Sequence, residues 1–271
     1  MNYVKVLGSS GTKTKTAGTT SFQISKSIII DSGNVINILG EQSLFINHVF
    51  LTHSHSDHII DLPFLIEAFF GMRKKSLIIY ASKDTIDALK EHTFNNSIWP
   101  DFSKINLLGS NKKSLIFKEI KENETIKIEN HSIKAIKANH IEGSFGYVIS
   151  KKDTDTYIIS GDTYLNDNII EEINSNPKIK LLLIECSFPN RLEQLAKITN
   201  HLTPYLLQFM LKKIKNKKLK VYIYHIKYPY YDEVLKEIKE LDLLNNGKIL
   251  KDEDIINIDN RLNSKQLDEY L

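Results

Sequence analysis

The sequence contains a single cysteine among 271 residues, so no internal disulfide can form. Cys186 lies in the apolar stretch 181–186, where we expect a buried, inert thiol. A chain of this length with 41% hydrophobic residues can bury a sizeable core without crosslinks. We therefore predict one globular domain over residues 1–271 in a reducing compartment, with residues 259–271 as a polar tail that frays.

Long hydrophobic runs and a secretory start are also missing. Residues 1–8 lack the basic start, long apolar middle and small-residue cleavage site of a signal peptide, and no later apolar run approaches about eighteen residues. We expect a cytoplasmic protein with no membrane partner. The net charge is only +3, and much of the lysine lies in one run, 212–218. That run is typical of the solvated end of a helix, and an anion-attracting patch is the alternative.

What the chain does have is a regular alternation of strand and helix signals. Short β-branched runs predict strands at 3–7, 22–30, 44–51, 77–80, 115–117, 125–128, 132–137, 147–150, 156–160, 180–185 and 220–224. Helical spacing predicts helices at 62–70, 83–94, 165–173, 203–215 and 231–241, and Asp61, Ser82 and Thr203 are placed to cap three of them. This order predicts a four-layer αββα sandwich with two central mixed sheets.

The most informative segment is rich in metal-ligand side chains. His53, His55, Asp57 and His58 fall within six positions, directly behind the buried strand predicted to end at Leu51. Alternate residues on an extended chain point the same way, so His53 and His55 can reach one ion, while a turn sends Asp57 and His58 toward a neighbouring point. We interpret this segment as a metal site, because a polar loop without that role would rarely be so dense in ligands.

Further candidate ligands follow the ends of three other predicted strands. His140, Asp162 and His225 each come after an apolar strand, where converging sheets present polar groups at one rim. Taken alone, His140 could cap a turn, Asp162 could be a turn residue, and His225 could be a satisfied interior histidine. His48, His92 and His131 have no such placement, and we interpret them as ordinary structural or surface residues.

The ligand candidates, taken in order, resemble the metallo-β-lactamase superfamily of binuclear hydrolases. The resemblance spans residues 1–230 and rests on His-x-His-x-Asp-His at 53–58, His140, Gly-Asp-Thr at 161–163, His225 and the early acidic residue Asp31. It implies that His53, His55 and His140 hold one ion, that Asp57, His58 and His225 hold the other, and that Asp162 bridges them. It also implies that Asp31 accepts a hydrogen bond that fixes the loop. Ligands without thiolates suit zinc first, with manganese or iron as alternatives.

Within the superfamily the chain is similar to the class II 3′,5′-cyclic nucleotide phosphodiesterases. The similarity rests on Glu185-Cys186-Ser187-Phe188-Pro189-Asn190, His201-Leu202-Thr203-Pro204 and segments 52–65, 71–75 and 98–102. It implies hydrolysis of a cyclic nucleotide, cyclic AMP first, to a 5′-monophosphate by a metal-bridging hydroxide. Ribonuclease Z, which processes transfer-RNA 3′ ends, shares the Glu and His-Thr elements and is the alternative, with RNA as its partner. A homodimer stays open.

Catalytic roles follow from the same resemblance, and a substrate-binding role is suggested by the turn after the first strand. His201 is expected to protonate the leaving oxygen, Glu185 to orient it, and Asp57 to act within the catalytic centre. Ser9 and Ser10, in a glycine-serine turn after the first strand, are candidates for binding phosphate, although such a turn often has no such role. The aromatic segment 95–102 is either a lid over the site or a surface packing loop.

Overall fold

The structure is a computed structural model that describes residues 2–244 and 247–259. The strands are β1 (Tyr3–Gly8), β2 (Ser21–Gln23), β3 (Ile28–Ile30), β4 (His48–Phe50), β5 (Leu77–Ala81), β6 (Leu115–Glu119), β7 (Thr125–Ile128), β8 (His131–Lys137), β9 (Phe145–Lys151), β10 (Thr156–Ile159), β11 (Ile179–Glu185), β12 (Lys220–Tyr224) and β13 (Ile255–Asn257).

Helices connect and cover these strands. They are α1 (Val35–Leu39), α2 (Ser56–Ile59), α3 (Leu62–Glu67), α4 (Lys83–His92), α5 (Asp167–Ser175), α6 (Glu193–Ile198), α7 (Pro204–Lys212) and α8 (Tyr231–Glu240). Short 3₁₀ helices span Gly40–Phe45, Asn190–Leu192 and Tyr228–Tyr230. Among the described residues, no helix combines the length and apolarity needed to cross a membrane.

The strands form two mixed sheets. The first has the order β13-β1-β2-β3-β4-β5-β6, with antiparallel pairs up to β3 and parallel pairs from β3 to β6. The second has the order β12-β11-β10-β9-β8-β7, parallel from β10 to β12 and antiparallel in the rest. Because β3, β4, β10, β11 and β12 run toward one edge of the sandwich, the loops after them meet there.

Three apolar cores hold four layers together. Phe22, Phe50, Tyr147 and Leu183 belong to the core between the two sheets. A second core packs α5, α7 and α8 on the second sheet, and a third packs α1, α3 and α4 on the first. The predicted αββα sandwich with two central mixed sheets is therefore confirmed. Cys186 is a free, buried thiol in the second core, and burial raises its pKa, in line with an inert role.

Two predicted strands were wrong in length. Residues 22–30 form a hairpin, because Ser25 and Ser27 turn the chain: the Ile24 amide donates to the Ile28 carbonyl (3.1 Å) and the Ser27 amide donates to Ser25 Oγ (3.1 Å). Residues 44–51 form a strand only from His48, since Gly40–Phe45 is a 3₁₀ helix. Both segments have apolar periodicity, and hydrogen-bonding serines override it.

Two of the three predicted helix caps are confirmed. Ser82 and Thr203 accept hydrogen bonds from the Thr85 and Leu206 amides at the starts of α4 and α7. Asp61 does not cap α3: its Oδ2 accepts from the Ile36 amide (2.9 Å) in the first turn of α1. Of the predicted tail at 259–271, all but Asp259 lies outside the described residues.

Candidate metal centre

The loop after β4 is held in place by Asp31. Thr52 donates to this carboxylate twice, from its amide to Oδ1 and from Oγ1 to Oδ2, both at 2.8 Å. His58 Nδ1 lies 2.8 Å from Asp31 Oδ2. Asp31 itself has a left-handed backbone (φ 58°), which a non-glycine residue adopts at some cost. The predicted role of Asp31, a hydrogen-bond acceptor that fixes the loop, matches these contacts.

The remaining ligand candidates come from the end of the second sheet. His140 follows β8, His225 follows β12 with φ 65°, and Asp162 follows β10 through Gly161. Gly161 has φ 63°, and a Cβ there would lie 2.5 Å from the Phe145 carbonyl oxygen, so only glycine fits this turn. These backbone conformations direct Asp162 and His225 inward, where both are buried.

The structure brings all seven predicted ligands together, in overlapping groups whose ligand atoms lie within 4.8 Å of one another. Two of these groups are His53, His55 and His140, and Asp57, His58 and His225. Asp162 Oδ2 lies between them, 3.3 Å from His58 Nε2, 3.2 Å from His225 Nε2, 3.9 Å from His53 Nε2 and 4.0 Å from His140 Nε2. This arrangement is compatible with two ions sharing Asp162, and the ligand assignment itself stays a prediction.

Two buried polar atoms at the centre of the cluster have no hydrogen-bond partner. They are His53 Nε2 and Asp162 Oδ1. Ring nitrogens also face each other, His140 Nε2 at 3.0 Å from His55 Nδ1 and His58 Nε2 at 3.4 Å from His225 Nε2. Buried acceptors without donors are costly unless a cation satisfies them. The residues present therefore fit a pair of divalent cations, which need imidazole and carboxylate ligands of this kind.

The charges in the cluster favour the ligand forms of most of its members. Burial lowers the pKa of His53, His140 and His225, which keeps these imidazoles neutral, as metal binding requires. Burial opposes ionisation of Asp162, but His225 and His58 outweigh it and hold the Asp162 pKa well below its usual range. His58 differs: burial opposes its charge, yet Asp162 and Asp31 raise its pKa well above the ordinary value.

A second cluster of buried polar side chains adjoins the ligands. His201 Nδ1 lies 2.9 Å from Glu185 Oε1, and the Thr163 and Leu202 amides donate to the same oxygen at 3.2 Å. His201 Nδ1 is also 4.0 Å from Asp162 Oδ2. Burial disfavours the imidazolium, but the Glu185 carboxylate and its hydrogen bond raise the pKa of His201 overall. The predicted pairing of His201 with Glu185 is thus present beside the ligand cluster.

His55, Asp57 and Lys227 line the more open side of the cluster. Asp57 is partly exposed, and Lys227 Nζ lies 3.6 Å from Asp57 Oδ2 while donating to the Gly11 carbonyl at 2.8 Å. Burial raises the pKa of Asp57, but His225 and His58 outweigh this effect and hold that pKa well below its usual range. An ammonium group therefore stands at the entrance of a site otherwise built from imidazoles and carboxylates. This arrangement suits an anionic ligand.

Ser9 and Ser10, the candidates for binding phosphate, have their amides and hydroxyls engaged within the protein, which favours the alternative of a plain turn. The Ser9 amide and hydroxyl both donate to Asp252 Oδ1 at 2.9 Å. The Ser10 amide donates to the Gly18 carbonyl, and its hydroxyl donates to the Thr12 carbonyl. The Ser9 carbonyl accepts from the His225 amide (2.6 Å). This turn supports His225 from behind, because its polar groups are engaged within the protein.

Sequence reasoning missed Thr52, Ser187 and Lys227 as participants in the site. Thr52 directly precedes His53, and Ser187 and Lys227 lie two residues beyond Glu185 and His225. Their spacing from predicted site residues was the available signal, but Ser, Thr and Lys are too common near strand ends for that spacing to stand out. Of the histidines expected to be ordinary, His92 is exposed on α4, His48 contacts Tyr80, and His131 opens β8.

With this architecture and a ligand-rich edge, the chain has the metallo-β-lactamase fold. The metallo-β-lactamase fold protein YhfI of Bacillus subtilis superposes on 93% of this chain and 98% of its own, with a TM-score of 0.71 and 18% identity. Unliganded yeast PDE1 superposes on 95% of this chain and 100% of its own, with a TM-score of 0.75 and 19% identity. More narrowly, the family described as Anti-Pycsar protein Apyc1 matches residues 6–249, and the chain belongs to that family.

Curated relatives carry two kinds of name. A probable 3′,5′-cyclic-nucleotide phosphodiesterase of Yersinia pestis is 26% identical over 205 residues, which cover 67% of this chain and 57% of that protein. The 3′,5′-cyclic-nucleotide phosphodiesterase 1 of Saccharomyces cerevisiae is 28% identical over 198 residues, 65% of this chain and 53% of that protein. A ribonuclease Z of Pyrococcus abyssi is 26% identical over 119 residues, 44% of this chain and 35% of that protein. The chain spans about half the length of the two phosphodiesterases.

Proposed function

We propose that the protein is a metal-dependent hydrolase that converts 3′,5′-cyclic nucleotides, cyclic AMP first, to 5′-monophosphates in the cytoplasm. The observation that carries this proposal is the position of His201, paired with Glu185 and 4.0 Å from Asp162, beside a cluster of ligands that fits two divalent cations. Relatives named cyclic-nucleotide phosphodiesterases support the choice of substrate. Zinc is the expected metal, with manganese and iron as alternatives.

The metal ligands proposed here are His53, His55 and His140 for one ion and Asp57, His58 and His225 for the other, with Asp162 shared. When bound, two such ions polarise a phosphodiester and lower the pKa of the attacking water. Asp31 and Thr52 hold the loop that carries four of these ligands, and Lys227 attracts the anionic substrate to the open side.

His201 supplies the proton that the leaving group needs. Water gives up one proton to solvent and attacks phosphorus, which forms a new P–O bond and breaks the bond from phosphorus to the ribose 3′ oxygen; that oxygen would leave as a strongly basic alkoxide. A protonated His201, holding Glu185 through Nδ1, transfers the proton from its other nitrogen, Nε2, to that oxygen. The products are a 5′-monophosphate and a free 3′-hydroxyl.

Ribonuclease Z activity is the second candidate, because archaeal relatives with that name match about two fifths of the chain. Segment 93–114, between α4 and β6, has no named helix or strand and packs on the protein. Phe102 and Leu107 are buried, and the ring centroids of Trp99 and Phe64 are 5.3 Å apart. For segment 95–102, this packing favours the surface-loop alternative over the lid. A packed segment is also a poor candidate for a free arm that grips RNA.

A side-by-side hydrolysis panel tests the proposal. Protein loaded in turn with zinc, manganese or iron is incubated with cyclic AMP, cyclic GMP and a transfer-RNA precursor, and products are separated by chromatography and gel electrophoresis. We expect 5′-AMP to accumulate, with precursor RNA left intact. Cleavage of the precursor without formation of 5′-monophosphate would move the assignment to the nuclease.

A further inference from the structure

The Ser187 hydroxyl occupies the junction between the ligand cluster and the His201–Glu185 pair. Its Oγ lies 2.9 Å from His225 Nδ1, 2.9 Å from Glu185 Oε2 and 3.2 Å from His201 Nδ1. Ser187 is completely buried, so no solvent competes for these contacts. One side chain thus touches a proposed metal ligand, the proposed acid and the carboxylate that orients the acid.

The number of hydrogens on these side chains determines which groups donate and which accept in the hydrogen bonds around Ser187. A serine hydroxyl has one hydrogen and two lone pairs, and a carboxylate only accepts. Two acceptors lie within reach, Glu185 Oε2 at 2.9 Å and the His225 carbonyl oxygen at 3.2 Å, and the nearer carboxylate gives the stronger, charge-assisted hydrogen bond, so we assign the Ser187 hydrogen to Glu185 Oε2. The Ser187 lone pairs are then left to accept from ring nitrogens.

This direction sets the tautomer of His225. If Nδ1 carries the hydrogen and donates to Ser187, Nε2 is unprotonated. His225 Nε2 is the atom that faces the cluster, 3.2 Å from both Asp57 Oδ2 and Asp162 Oδ2. A ligating histidine depends on such a partner at its other nitrogen for ring orientation and for ligand basicity.

The same hydroxyl also holds Glu185 in position for His201. Glu185 Oε2 is bound by Ser187, which leaves Oε1 to accept from His201 Nδ1 and from the Thr163 and Leu202 amides. Without the Ser187 hydroxyl, the carboxylate would lose its hydrogen-bond partner on one oxygen and could rotate away from the imidazole. The ring of His201 also lies nearly parallel to that of His225, with 5.4 Å between centroids, so the two rings share one support.

We propose that Ser187 is a positioning residue that orients His225 toward the metal pair and Glu185 toward His201, so that one hydroxyl links metal retention to protonation of the leaving group. This inference rests on the proposed function for its second half only. Its first half concerns metal binding and holds whatever the substrate is.

The test compares Ser187→Ala with Ser187→Thr, which keeps the hydroxyl, and with Ser114→Ala as a matched control. Ser114 is equally buried and directly precedes β6, the edge strand of the first sheet. Its hydroxyl donates to the Ile105 carbonyl at 2.6 Å. Metal content after dialysis against a weak chelator is measured by elemental analysis. We expect S187A to bind one of its two ions roughly 10- to 100-fold more weakly, the usual effect of removing a partner of a metal-bound histidine. S114A is expected to keep both ions.

Nuclear magnetic resonance of ¹⁵N-labelled histidine in the zinc-loaded protein gives a readout that needs no substrate. In the zinc-loaded wild-type protein we expect His225 to carry its hydrogen on Nδ1, with Nε2 unprotonated. In S187A we expect a mixture of the two tautomers, and in S187T the wild-type pattern. Circular dichroism melting checks that each variant is folded, and if S187T does not fold, Ser187→Cys takes its place as the variant that retains a weak hydrogen-bonding group.

A double-mutant cycle with His201→Ala tests the second half. If Ser187 acts on turnover through His201, S187A lowers kcat in the wild-type background, at an unchanged KM and with metal in excess, and has a much smaller effect in the H201A background. Equal effects in both backgrounds would overturn this half.

Retention of two ions and the wild-type His225 tautomer in S187A would overturn the first half, and so would equal metal loss in S114A. A wild-type protein inactive on cyclic nucleotides whose S187A variant still loses one ion would instead refute the proposed function and support the role of Ser187 in metal binding.

Discussion

The two sheets contribute to the site in different ways. The first sheet delivers four proposed ligands on a single loop, residues 53–58, which is held by one acid, Asp31, that ends a neighbouring strand. The second sheet delivers its groups one at a time from four strand ends, and it adds a network of Glu185, Ser187 and His201 that the first sheet lacks among the described residues. Metal binding is thus shared by both sheets, whereas the proposed acid chemistry belongs to the second.

This difference predicts how substitutions in each sheet affect metal binding and turnover. A loop that carries four ligands within six positions should keep or lose its metal-binding geometry as a unit when Asp31 or Thr52 changes. Groups that arrive on separate strands can be altered singly, so changes in the second sheet can separate metal retention from turnover. The following predictions use this contrast, from the largest expected effect to the smallest.

Asp162→Asn is expected to have the largest effect, because Asp162 is the second-sheet group shared by both proposed ions. An amide side chain removes the negative charge that five neighbouring imidazoles face. We expect loss of both ions. Turnover should fall by more than the roughly 10- to 100-fold that is usual when a hydrogen-bond partner of a metal ligand is removed. Elemental analysis and a cyclic AMP assay check this, with the exposed Asp167→Asn on α5 as control. Full metal content in D162N would refute the shared-ligand role.

His201→Ala is expected to separate the two functions of the second sheet. The variant should keep both ions but slow turnover by about 10²-fold or more, the usual scale for a lost general acid. Metal content and kcat are measured on the same sample, and His92→Ala, on the exposed surface of α4, is the control. Loss of an ion in H201A would make His201 a ligand, consistent with its place in two further candidate groups.

Lys227→Met is expected to weaken substrate binding at the open side of the site. Removing the ammonium group near Asp57 leaves the metal ligands in place but removes a cation that attracts phosphate. We expect KM to rise roughly tenfold, the scale of one hydrogen bond to a charged group, with little change in kcat. Lys236→Met, on the exposed surface of α8, is the control. A lower kcat at unchanged KM would contradict this role.

Glu185→Gln is expected to move a pH profile. The proposed acid works in its protonated form, so kcat should fall as pH rises through the pKa of His201, which Glu185 raises. Removing the negative charge lowers that pKa, and the alkaline fall should therefore begin at a lower pH in E185Q than in the wild-type protein. Steady-state rates across pH at saturating substrate test this. An unchanged alkaline limb would show that His201 is not the group that titrates.

The sequence predicted the site far better than it predicted the elements near it. The 53–58 loop could be predicted because four ligands fall within six positions, and Asp162 and His225 could be predicted because they follow apolar strands. The roles of Ser187 and Lys227 depend on contacts with residues far apart in the chain or on facing strands, and no local pattern encodes such contacts. The segments 22–30 and 44–51 misled because serine hydrogen bonds interrupt an otherwise strand-like apolar pattern.

Asp61 is a second case in which a local sequence pattern predicted the wrong contact. Its position before Leu62 and Pro63 is a good helix-start signal, but the acid faces α1 and bonds the Ile36 amide instead. In the folded chain, a carboxylate can accept a hydrogen bond from any backbone amide within reach. A prediction from sequence spacing tests only the amides of the helix that follows directly.

The position of His58 between two carboxylates makes loading of the site an acid–base reaction. Burial opposes the charge of His58, but Asp162 and Asp31 raise its pKa well above the ordinary value, so a cation that binds its Nε2 competes with a proton for that nitrogen. Uptake of metal should therefore acidify an unbuffered solution, and mild acid should favour release. The acidity of its surroundings would then help to decide how much of the protein is active.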